Sequence, residues 1–103
     1  MPDEHAASLL DPEGSHLAAL RRLADFRGAR VLEVGCGDGR LTAGIAEEAA
    51  SVWAFDPDGA AIARAGARLA GDVAERVTLR VGGAREIEIP RADFDLVVFS
   101  WSL

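Results

Sequence analysis

Val31-Leu32-Glu33-Val34-Gly35-Cys36-Gly37-Asp38-Gly39 decides how this chain is read. The first four residues form a short β-branched run with one acid inside it, and the run stops at glycines on alternate positions. Such a run reads as a strand delivered into a loop. Gly35 allows a tight turn, Gly37 lets a ligand approach the backbone, and Gly39 lets the next helix start close to the strand. Backbone N–H groups at that helix start favour an anionic group such as a carboxylate or phosphate. The helix is expected to run for about ten residues, with Leu41, Ile45 and Ala49 on one face.

Further along, Val52 to Phe55 reads as a second strand, ended by Asp56-Pro57. A helix rich in alanine and arginine is expected from Asp58 to Ala70, with Gly71-Asp72 after it; its Arg64 and Arg68 read as a solvated face. Val77 to Val81 and Asp95 to Phe99 complete the strands. Upstream, Asp11-Pro12-Glu13-Gly14 reads as a turn, and Ser15 is placed to cap a helix reaching Phe26 with Leu17, Leu20 and Leu23 at helical spacing. Strands alternating with helices predict an α/β fold with a parallel sheet of right-handed crossovers. Phe94 to Phe99 shows no polar alternation, as expected of a strand covered on both faces. A doubly wound sheet continues with further crossovers beyond its first strand. Here one half and a single strand of the other are supplied, so the chain is expected to be truncated after the fourth strand.

Composition bounds the function. The chain has 103 residues, 50% of them hydrophobic and 27% charged. That suits one core and excludes a disordered tail. No apolar run approaches the roughly 18–20 residues of a membrane span, and Asp3 and Glu4 stand where a signal peptide would be basic. No membrane partner is expected. The single cysteine, Cys36, excludes an internal disulfide and a thiolate-built metal site, and points to a reducing, cytoplasmic compartment. Seventeen acidic residues against eleven basic ones give a net charge of −6. With no basic stripe in view, no nucleic-acid partner is expected, and a small or neutral ligand fits better.

The glycine loop also excludes. A dinucleotide fingerprint would have a glycine where Arg40 stands, and a nucleotide-triphosphate loop would need a lysine, which the chain lacks. The loop instead resembles the first motif of class I S-adenosylmethionine-dependent methyltransferases, with an acid two residues before G-x-G-x-G. The resemblance extends in order along the chain. Asp56 ends the second strand 21 residues after Gly35, where the family places the acid that binds the ribose hydroxyls. Val81-Gly82-Gly83-Ala84 stands where the family often has G-D-A beside the adenine, with Gly83 in place of the aspartate. Phe94-Asp95-Leu96-Val97-Val98 is similar to the family's F-D-x-V-x strand.

The resemblance implies a Rossmann-like sheet holding the first four of the family's seven strands in the order 3-2-1-4. It implies S-adenosyl-L-methionine as cofactor and methyl transfer to a small-molecule acceptor. Residues 1–26 are expected to form an N-terminal segment with a helix, and 27–103 the cofactor-binding part of the domain. The implied cofactor site is Glu33, Gly35, Cys36, Gly37, Asp38, Gly39, Asp56, Pro57, Gly83 and Ala84. The loop amides would meet the ligand's carboxylate, and Glu33 with Asp38 its positive groups. Ser100 and Trp101, at the carboxyl end of the fourth strand, would flank the methyl group. Cys36 reads as a small packing residue rather than a nucleophile, and no catalytic residue is assigned. The alternatives are a non-catalytic S-adenosylmethionine-binding fragment and an NAD-binding domain. A bare edge on the fourth strand is expected to promote self-association.

Overall fold

Residues 25–90 and 94–100 are described by a computed structural model. Their order is β1 (Arg30–Val34), α1 (Arg40–Ala46), β2 (Ser51–Asp56), α2 (Gly59–Arg68), α3 (Gly71–Glu75), β3 (Val77–Val81) and β4 (Leu96–Phe99). The four strands form one parallel sheet in the order β3-β2-β1-β4. This is the Rossmann-like arrangement implied above. The helix expected upstream falls outside the described residues, as does Trp101.

Register explains which side chains face which layer. Val31 pairs with Val52 and Leu96, and Glu33 with Ala54 and Val98, so these residues share one sheet face. Ile45, Ala46 and Ala49 pack on that face with Val31, Val52, Ala54 and Val98, and Ile62 of α2 borders the same cluster. Phe26, just before β1, is buried in it too. The opposite face carries Leu32, Trp53, Phe55, Val97 and Phe99. There Trp53 meets Phe55 edge-on, and the Arg80 guanidinium lies 6.0 Å from the Trp53 ring centroid.

That layering corrects the expectation for the fourth strand. Val97 and Phe99 are 52% and 64% exposed, while Val98 is buried. An apolar run without alternation does not reveal which face is covered, and both α1 and α2 lie against the face of Val98. At its start, β4 is joined to β1 by a reciprocal pair. Asp95 N–H donates to the Arg30 carbonyl at 2.7 Å, and Arg30 N–H donates to Asp95 Oδ2 at 2.8 Å.

The helices differ in extent from the sequence reading. α1 buries Thr42, Ile45 and Ala46, with Leu41 only partly covered. It ends early because Ala50 N–H donates to the Ala29 carbonyl at 2.8 Å, drawing the chain into β2. Arg76 closes its last turn with two hydrogen bonds to the Ala46 carbonyl, at 2.7 and 3.2 Å. Asp58 caps α2 by accepting from the N–H groups of Ala60 and Ala61. Gly71, with φ 61°, then starts the short α3, an element that the sequence reading does not include. Among the described residues no helix is long and apolar enough to cross a membrane.

Candidate functional site

The carboxyl ends of the strands gather the glycine loop, Asp56, the exit of β3 and Ser100. β1 runs into a loop in which Gly35, Gly37 and Gly39 take φ of 77°, 57° and 84°. Those left-handed conformations explain the alternate glycines better than spacing alone. Two of the three glycines also have immediate neighbours. A Cβ on Gly35 would stand 2.7 Å from the Ser100 carbonyl oxygen, and one on Gly39 would stand 2.7 Å from Ala65 Cβ. The third glycine therefore admits α2, rather than bringing α1 onto the strand as expected.

Backbone N–H groups of the loop are largely committed within the protein. Gly35 and Cys36 N–H donate to the Phe55 carbonyl at 2.9 and 3.1 Å, and Gly39 N–H donates to the Cys36 carbonyl at 3.1 Å. Gly37 N–H donates to Asp56 Oδ2 at 2.9 Å. The expected cradle of amides around an anion is thus replaced by a loop bolted to the end of β2. This weakens any phosphate reading further.

Asp56 is the centre of that attachment. It is 5% exposed, and its other oxygen accepts from Asp58 N–H at 2.9 Å. A carboxylate has about four acceptor positions, and these bonds take up two of them. Gly82 N–H donates to the Asp56 carbonyl at 2.9 Å, which brings the exit of β3 beside it. In that exit Gly83 N–H donates to Glu86 Oε1 at 3.1 Å, while Glu86 and Ile87 N–H return to the Gly83 carbonyl. A Cβ on Gly83 would lie 2.5 Å from Glu86 Oε1. The Glu86 carboxylate thus takes up the room a side chain at residue 83 would need, a contact that the motif alone does not reveal. Ala84 and Pro57 are both exposed at this end of the sheet.

Glu33 and Asp38 occupy positions other than those expected, whereas Cys36 packs as the sequence reading has it. Glu33 is fully buried, with Thr42 Oγ1 donating to Oε1 at 2.6 Å and Ser100 Oγ donating to Oε2. Burial pushes its carboxyl above the usual glutamate range, against the lowering effect of the two hydroxyls. An inward-facing side chain on a covered strand cannot meet a ligand cation at the surface. Asp38 is engaged by arginines: Arg40 Nε at 3.3 Å and Arg68 Nη2 at 3.5 Å, with Arg68 Nε donating to its carbonyl at 3.1 Å. Arg64 and Arg68 are exposed, as expected, and Arg68 braces the loop from that face. The Cys36 side chain lies in the core cluster. Its thiol is pushed up to about 12 by burial, then by the charges of Glu33 and Asp56, so it is no nucleophile.

Comparison with known proteins agrees with this geometry. The methyltransferase domain profile matches residues 31–103. This chain belongs to the methyltransferase domain family. Over 67 residues it is 42% identical to a Pyrobaculum aerophilum protein that carries the name ribosomal RNA small subunit methyltransferase A, covering 65% of this chain and 28% of that protein. A TehB-like SAM-dependent methyltransferase from Corynebacterium glutamicum superposes with a TM-score of 0.68 at 28% identity, over 95% of this chain and 50% of the other. A dimethyladenosine transferase from Plasmodium falciparum superposes with a TM-score of 0.71 at 24% identity, over 87% of this chain and 32% of the other, and speaks for the fold. The methyltransferase domain chain thus spans between 28% and 50% of the length of these proteins.

The first of these relatives overturns one expectation. Nucleic acid was excluded on the net charge of −6, yet a protein named for ribosomal RNA shares 42% of 67 aligned residues. Net charge is a sum over this stretch alone and does not describe the local field. Asp25, Asp38 and Asp95 each lie in an ion pair with arginine, so part of the acidity is compensated where it stands. The sum does not decide the partner.

Proposed function

We propose that this methyltransferase domain chain holds S-adenosylmethionine in an enzyme that methylates RNA. The observation that carries the cofactor reading is Asp56. It is a nearly buried carboxylate that fixes the glycine loop through Gly37 and keeps acceptor positions for two adjacent hydroxyls. The residues present fit the group. Gly37 places no side chain beside the Asp56 carboxylate that its N–H meets, and the bond from Gly82 N–H to the Asp56 carbonyl brings the β3 exit next to it.

S-adenosylmethionine supplies an electrophilic methyl group on a sulfonium, so the protein's share is binding and in-line orientation. In this reading Asp56 accepts from the ribose diol, with Pro57 turning the chain away from it. Gly37 gives the methionine part its approach, Gly35 and Gly39 seat the loop against Ser100 and Ala65, and Gly83 and Ala84 border the base. Asp38 and Arg68 hold the loop shape rather than touching the ligand's charges. Ser100, with Trp101 after it, borders the acceptor side. The relative named for ribosomal RNA supports RNA as the acceptor class.

Two measurements test the proposal. Titration calorimetry should show saturable binding of S-adenosylhomocysteine and none of NAD; no heat with S-adenosylhomocysteine removes the cofactor reading. Incubation with methyl-labelled S-adenosylmethionine and either total RNA or a small-molecule extract should put label into RNA. Label entering only small molecules would remove RNA as the acceptor.

A further inference from the structure

Glu33, Thr42 and Ser100 come from three segments that converge at the carboxyl end of the sheet. Glu33 stands two residues before the glycine loop, Thr42 lies in the first turn of α1, and Ser100 is the first residue after β4. All three are buried. A buried carboxyl satisfied by hydroxyls is a weak source of stability, because apolar groups of similar shape do as well or better. The geometry gives it a different task.

Ser100 is held at three points. Its hydroxyl donates to Glu33 Oε2, and its N–H donates to the Val34 carbonyl at 2.9 Å. Its carbonyl lies against Gly35, where a Cβ would come within 2.7 Å. The other Glu33 oxygen takes Thr42 Oγ1 at 2.6 Å. We propose that Glu33 is a positioning residue: through Ser100 it fixes the point where the chain leaves β4 against the first glycine of the loop, and through Thr42 it holds the start of α1 in the same frame. Ligands of parallel α/β sheets bind at the carboxyl ends of the strands. The tie therefore sets the distance between the loop and the segment after β4. For its ligand-binding arm this rests on the S-adenosylmethionine reading; for the rest it does not.

The test replaces the polar cluster by apolar groups in Glu33→Leu/Thr42→Val/Ser100→Ala, beside the single variants Ser100→Ala and Thr42→Val. The triple variant is expected to keep or exceed the parent's urea midpoint. Meanwhile hydrogen exchange at the residue-100 amide should rise by about tenfold or more, and exchange at the Val52 amide, which donates to the Arg76 carbonyl at 2.8 Å, should stay within about twofold. S-adenosylhomocysteine affinity should fall by about fivefold or more with it. Ser100→Ala should reproduce the local exchange, and Thr42→Val should not; if the triple variant does not fold, these single variants decide. Unchanged exchange at residue 100 in Ser100→Ala would overturn the proposal. So would an equal rise at residue 100 and Val52, which marks a purely structural cluster. Should the parent fail to bind S-adenosylhomocysteine, the cofactor reading falls while the exchange pattern still judges the tie.

Discussion

Removing the Asp56 carboxylate should damage the fold and the ligand site together. The side chain accepts from Gly37 N–H and Asp58 N–H, both at 2.9 Å, and is 5% exposed. In Asp56→Ala both donors lose their acceptor. The Gly37 amide is buried and cannot turn to water, while the part-buried Asp58 amide can do so in part. A buried donor left without an acceptor costs about 1–3 kcal/mol. With the second donor discounted for solvent, the variant should lose about 2–4 kcal/mol. Stabilities of about 5–15 kcal/mol are usual for domains, so this is a large share. Asp56→Asn keeps one acceptor oxygen, so it should lose about half as much. Urea unfolding followed by circular dichroism reads both losses. A change below about 0.5 kcal/mol in Asp56→Ala, within the range of ordinary surface substitutions, would refute the claim that this carboxylate carries the loop. The same two variants, titrated with S-adenosylhomocysteine under conditions where they are folded, should both bind more weakly than the parent. Wild-type affinity in folded Asp56→Asn would remove Asp56 from the ribose site.

Gly39→Ala combines a left-handed φ of 84° with a Cβ 2.7 Å from Ala65 Cβ. It should cost about 2–4 kcal/mol in urea unfolding, and Ala65→Gly should restore only the part due to the clash. Burial raises the Glu33 carboxyl above its ordinary value of 4.5. Its contribution is therefore fully present below that pH and lost as pH rises toward the higher folded value. Relative to Glu33→Gln, the parent should thus lose ground in unfolding experiments from pH 4.5 upward; a pH-independent difference would contradict the assignment. Cys36, buried and with its thiol pushed up to about 12, should resist iodoacetamide at about pH 8 in the native state and react readily in urea. Rapid native alkylation would mean that the loop opens.

Much of the architecture could be read directly. Short apolar runs ending at Gly35, Asp56 and Gly82 mark strands that finish at one end of a parallel sheet, and that pattern depends on local sterics and burial alone. Helix ends were less legible, because they are set by distant partners. The Ala29 carbonyl stops α1 by capturing Ala50 N–H, and Arg76 closes its last turn from the start of β3. The covered face of β4 was likewise hidden, since Leu96-Val97-Val98-Phe99 is apolar on both sides.

At the candidate site, sequence by itself determined the residue types: glycines where φ must be positive, and acids at 33, 38 and 56 near the strand ends. Which acid does what was decided only by tertiary structure. Asp56 is bonded to the loop, Asp38 is engaged by Arg68 from a helix thirty positions on, and Glu33 points inward to Ser100 across 67 residues of chain. The physical reason is that a carboxylate's role follows from its desolvation and from which donors reach it. Both are fixed by the packing of segments that are far apart in the chain.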